Sequence, residues 1–137
     1  MMVTIEAVYE GDLRCRVTHG PSGAELITDA PADNQGLGRT FSPTDLVAVA
    51  LGSCVLTVMG IVAKRHNINL AGTRVRVEKE MVNQPERRIG RLGVTVTFAK
   101  RFDQEQQALL ERTATACPVH HSLHPTLNAP VQFIYPS

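Results

Sequence analysis

Hydrophobic and polar positions alternate at three places along this chain and give way to one long apolar run at a fourth. From Thr4 to Asp29 short alternating stretches are broken by turn residues, Glu10-Gly11-Asp12 and then Gly20-Pro21-Ser22-Gly23, which predicts a set of short strands. Ala30 to Ser42 is rich in Pro, Gly, Asp and Asn and reads as a loop. Thr73 to Val82 and Ile89 to Lys100 each carry period-2 apolar positions (Val75, Val77; Val94, Val96, Phe98) around a polar connection, which predicts a hairpin. Val131 to Tyr135 reads as a closing strand.

Between the loop and the hairpin lies Leu46 to Ala63, 18 residues without a charge. Ser42-Pro43-Thr44-Asp45 before it is a helix start: Ser42 caps, Pro43 suits the first helical position, and Asp45 sits near the positive end of the dipole. Lys64, Arg65 and His66 suit the C-terminus, and Asn67 closes it. The run reaches the length of a membrane span, but Gly52, Ser53, Thr57 and Gly60 interrupt it and the flanking chain is strand-rich. The expected element is therefore a helix buried on every side, too long for one domain of this size to surround, so a second copy of the chain is expected to cover it. Asp103 to Thr115 is a second helix, capped by Asp103 with Gln106 three residues on, and Pro118 interrupts it or opens a new short one. The element order of strands, long helix, strands, helix, strand is α+β.

Composition narrows the chemistry. At 137 residues the chain is expected to be a single domain, residues 1–137. Fourteen cations against 13 anions leave a formal charge of +1, so nothing favours nucleic acid or an anionic membrane as a partner. No Trp and six other aromatics argue against a base-stacking surface. Eleven of the 14 cations are Arg, whose guanidinium stays charged when partly buried. The N-terminus lacks a positive start followed by an apolar segment, so a cytoplasmic location is expected, where structural disulfides are rare. Three cysteines, Cys15, Cys54 and Cys117, do not make a disulfide framework.

Two of those cysteines stand in unlike settings. Cys54 is in the middle of the uncharged helix; Cys117 precedes Pro118 at a helix boundary. Each taken alone reads as a small buried hydrophobe, and so does Cys15 on its strand. Cys117, His120, His121 and His124 also crowd within eight residues and offer soft and imidazole ligands for zinc, although one short helix would splay them around its axis.

Taken together, Ser42-Pro43-Thr44-Asp45-Leu46, Leu51-Gly52-Ser53-Cys54 and Ala116-Cys117-Pro118-Val119 resemble the OsmC/Ohr family, the osmotically inducible and organic hydroperoxide resistance proteins of bacteria. The resemblance runs over nearly the whole chain. It implies an intertwined α+β homodimer with antiparallel sheets on a long central buried helix. It also implies a thiol-dependent peroxidase acting in oxidative stress, with Cys54 the peroxidatic and Cys117 the resolving cysteine. Organic hydroperoxide is the implied substrate and a small dithiol or lipoyl-type molecule the implied external reductant, with no resident cofactor or metal. Family members stabilise the thiolate with an Arg held by a Glu ten residues before the first cysteine. Here that position is Thr44, with Asp45 the nearest carboxylate. Arg39, in the loop leading to the helix, is the expected cation, and Arg16 the other candidate. The Thr44 departure leaves open an alternative: an OsmC-like redox sensor, or a binder of small apolar ligands with little peroxidase activity.

Overall fold

A computed structural model describes all 137 residues. Its contacts cluster into two compact units, Met1–Val47 and Ala48–Ser137, with one helix running through the boundary.

The first unit is an antiparallel meander of β1 (Ile5–Gly11), β2 (Arg14–His19) and β3 (Glu25–Asp29). The β1–β2 turn is made by Asp12 and Leu13, both at positive φ (58° and 61°), a geometry that matches the right-handed twist of the strands it joins. The loop after β3 returns to it through a backbone bond from Asp29 N–H to Phe41 O. At Ser42 the helix α1 (Pro43–Arg65) begins. Ser42 Oγ accepts from the Asp45 amide at 3.1 Å and Asp45 Oδ2 accepts from the Ser42 amide at 2.9 Å, the reciprocal cap expected of these residues. Asn67, at φ 55°, ends the helix in the left-handed region.

The second unit holds the rest of α1, the antiparallel pair β4 (Arg74–Val82) and β5 (Arg88–Thr97), then α2 (Gln104–Ala114), α3 (Pro118–Ser122) and β6 (Val131–Ile134). Strand β6 lies parallel to β5, with Val94 opposite Val131 and Thr97 opposite Ile134. A parallel neighbour requires a crossover, and α2 and α3 are that crossover. Asp103 and Gln106 make the predicted capping box on α2, and Pro118 opens α3. β5 begins at Arg88 and stops at Thr97, short of the predicted Lys100, with Phe98 N–H still donating to Ile134 O.

α1 is fastened to the sheet where it carries no side chain. A Cβ added at Gly52 would stand 2.8 Å from Val77 Cγ2 and 3.3 Å from Val75 Cγ1, so the helix and β4 approach closely there. Leu51, Gly52, Val55, Met59 and Ala63 form one buried stripe at helical spacing. The expectation of burial on every side is not met within the chain: Val49 and Ile61 are 44% and 49% exposed. α1 is long and apolar enough to cross a membrane by length and composition, with 28% of its most apolar window buried. Leu92, Val94, Val96 and Phe98 complete the core with Leu110 and Ala114 of α2, and Phe98 stacks on Tyr135 at 4.8 Å.

Candidate functional site

The structure brings Cys54 and Cys117 side by side. Cys54 is carried on the fourth turn of α1, and Cys117 is the N-cap of α3, so the crossover between β5 and β6 delivers one thiol to the helix that holds the other. The two side chains are close enough for one thiol to perturb the other. Both are free thiols, and they differ in access: Cys54 is half-buried and Cys117 has no exposed surface.

Burial pushes the Cys117 thiol above its ordinary pKa, and the neighbouring Cys54 pushes it further, against backbone N–H groups of His120 and Val119 that pull it down. Cys117 is therefore protonated at neutral pH. A protonated, enclosed thiol is a poor first nucleophile, and its S–H is available to the sulfur beside it. Cys15 stands elsewhere, on β2 opposite Tyr9 and Thr28, and belongs to no such pair.

Arg39 belongs to the first unit and is tightly held there. Asp29 Oδ2 accepts from Arg39 Nε at 2.7 Å and from its backbone N–H at 3.1 Å, while Asp12 lies 3.6 Å from Nη2. Asp29 is 1% exposed. The Arg39 hydrogen bonds hold its carboxyl below the usual carboxylate range, against the desolvation that would raise it. Its other oxygen, Oδ1, has no hydrogen-bond partner. Arg16, the other candidate cation, pairs with Glu10 at 3.0 Å and Glu25 at 3.3 Å on the exposed meander. Thr44 Oγ1 lies 3.2 Å from Ser42 Oγ at the helix start.

Sequence reasoning missed Asp29. The available signal was an acidic residue ending the apolar stretch Leu26-Ile27-Thr28, ten positions before Arg39. The zinc reading is corrected: no group of three or more His, Cys, Asp or Glu side chains is placed to hold a metal. α3 ends at Ser122, so His124 does not share its face with His120; it turns to Thr126 at 2.7 Å, while His120 Nε2 lies 3.3 Å from Ala129 O.

With the geometry in place, comparison with known proteins decides the family. Residues 35–131 match the family model for OsmC-like proteins. The chain belongs to the OsmC/Ohr family. Among solved structures, a protein from Psychrobacter arcticus 273-4, provisionally described as an osmotic stress induced and detoxification response protein, is 44% identical, with a TM-score of 0.90 over 97% of this chain and 96% of that one. An organic hydroperoxide resistance protein OsmC from Legionella pneumophila superposes with a TM-score of 0.77 at 16% identity, over 98% and 97% of the two chains. OhrB of Bacillus subtilis does so at 0.71 and 17% identity, over 97% and 98%. These last two establish the shared α+β fold. A search of curated protein sequences gave no match.

Proposed function

We propose that this OsmC/Ohr protein is a thiol-dependent peroxidase that reduces organic hydroperoxides. The observation that carries the reading is the pairing of a half-buried thiol with an enclosed, protonated one. The neighbours named organic hydroperoxide resistance proteins support the substrate class. The Cys54 thiolate attacks one peroxide oxygen; the O–O bond breaks, the alkoxide leaves and takes a proton as an alcohol, and Cys54 becomes a sulfenic acid. Cys117 sulfur then displaces the sulfenic hydroxyl as water, forming the Cys54–Cys117 disulfide, and two electrons from an external dithiol restore both thiols. The order follows from access, since peroxide reaches Cys54 before Cys117. By the family resemblance alone, Arg39 is the proposed cation for the reacting thiolate, a task for which its always-charged guanidinium is suited. We further propose that the working form is a homodimer, because α1 leaves Val49 and Ile61 uncovered on a helix otherwise too apolar for water. Detergent-free sedimentation at about twice the chain mass supports that assembly, and a well-folded monomer at micromolar concentration refutes it.

The test is thiol titration before and after one equivalent of cumene hydroperoxide. Two thiols per chain are expected to disappear together. Cys54→Ser abolishes both peroxide consumption and disulfide formation. Cys117→Ser retains a single oxidation, with a dimedone-type probe labelling Cys54. Retention of all three thiols in the unmodified protein overturns the peroxidase reading and favours the sensor or ligand binder suggested by Thr44. Labelling at Cys117 in the Cys54→Ser protein reverses the roles.

A further inference from the structure

The β4–β5–β6 sheet has a second face that the thiol chemistry does not use. Val75 and Val77 meet α1 at Gly52, so strand alternation turns Arg74, Arg76, Glu78 and Glu80 to the opposite face. The register carries that face across the sheet: Arg74 lies opposite Thr97, which lies beside Ile134, and Arg76 lies opposite Thr95, which lies beside Gln132. A cavity of about 700 Å³ opens over these rows, bounded by Arg74, Arg76, Thr95, Thr97, Phe98 and Ile134, with Glu78 at one end. That volume falls in the range of small-molecule sites.

The charges there are unbalanced. Further along the same face Arg91 is neutralised by Glu80 at 3.3 Å. The side chains of Arg74 and Arg76 make no ion pair or hydrogen bond, and two positions along a strand puts their Cα atoms only about 6.6 Å apart, with Glu78 two positions further on leaving a net positive charge. Like charges on neighbouring positions of one face repel, an arrangement that a bound anion relieves. The other end of the cavity is apolar: Ile134 is 50% exposed there. Cationic fork at one end, hydroxyls of Thr95 and Thr97 beside it, and exposed hydrocarbon at the other end together describe an amphipathic anion.

We infer that this face binds an alkyl carboxylate, with the carboxylate between Arg74 and Arg76 and the chain laid along Ile134. Guanidinium donors match the two carboxylate oxygens, and the threonine hydroxyls can donate to the same group. None of these residues belongs to the thiol pair, so the inference stands apart from the peroxidase reading.

The test uses decanoate below its micelle-forming concentration, with decan-1-ol and inorganic phosphate as controls, read by calorimetry and by amide chemical shifts. Saturable binding of one decanoate per chain is expected, with shifts centred on Thr95, Thr97 and Ile134. Arg74→Gln and Arg76→Gln each weaken it about tenfold, the loss of one charge-assisted contact, while hydroperoxide-driven thiol loss is unchanged. Decan-1-ol binding as tightly as decanoate overturns the role of the arginines, and phosphate binding as tightly overturns that of the hydrocarbon end. Absence of saturable binding, or shifts centred on the α1 side of the sheet, overturns the site. The shift map of the unmodified chain decides the matter even if a variant fails to fold.

Discussion

The two units of this chain are stabilised by different physics. Every buried hydrophobic side chain, from Leu51 to Cys117, lies in Ala48–Ser137. The buried residues of Met1–Val47 are instead polar, Thr28, Asp29 and Ser42, while its Ile5, Val8, Tyr9, Leu13, Leu26, Leu37 and Phe41 are exposed. One unit is an apolar core with a protonated thiol enclosed in it; the other is a hydrogen-bonded ladder around an ion pair of which only the carboxylate is buried. The contrast shows that an apolar residue count does not say where a core will form. The meander has ample apolar residues and leaves them at its surface.

The largest effect is expected in the apolar core. Leu51→Ala removes a fully buried side chain from the α1 stripe and should cost about 2–5 kcal/mol of stability in denaturant titration, with the cavity term included. A cost below 1 kcal/mol would mean that the stripe is less tightly packed than its burial indicates. Next comes the contrast between thiols of the two units. In the reduced protein at pH 7.5, iodoacetamide should modify half-buried Cys15 on the order of a hundredfold faster than Cys117, which is enclosed and protonated. Peptide mapping over time gives the ratio, and equal rates would break the contrast.

A smaller effect is expected at the ion pair. Because Arg39 depresses the Asp29 pKa in the folded state, the native chain binds fewer protons there than the unfolded chain. The stabilisation is present above the unfolded carboxylate value of about 3.9 and is lost as pH falls through the lower folded value. Urea titrations from pH 6 downward should show this acid-side loss, and Asp29→Asn should be less stable at pH 6 with a shallower slope. An unchanged slope would remove the ion pair from the account. The smallest effect belongs to Arg16→Gln, since its pairs with Glu10 and Glu25 are solvent-exposed. No resolvable change in melting temperature is expected, and a clear drop would show that the meander's surface network carries weight.

Elements whose signals are local were legible in the sequence. The Ser42–Asp45 cap, the Asp103–Gln106 capping box and the Pro118 helix start all appear where the residues place them. The cysteine motifs were legible as a pair through the family resemblance, and the structure puts the two thiols together. Contacts made across the chain were not legible. Asp29 and Arg39 sit ten residues apart with no motif joining them, and their bond depends on the loop folding back onto β3. The extent of α1 burial was likewise hidden, because an uncharged run records how apolar a helix is and not what covers each side.

The parallel pairing of β6 with β5 also sets a timetable. Cys54 is synthesised 63 residues before Cys117, and the crossover that brings them together is closed only when Val131–Ile134 reaches β5. At roughly 5–20 residues per second, the growing chain carries an isolated Cys54 on an uncovered apolar helix for several seconds. During that interval the cysteine can be oxidised but has no neighbour to resolve it. A sulfenic acid formed on Cys54 at that stage would persist until the crossover closes, and nascent-chain labelling would find it.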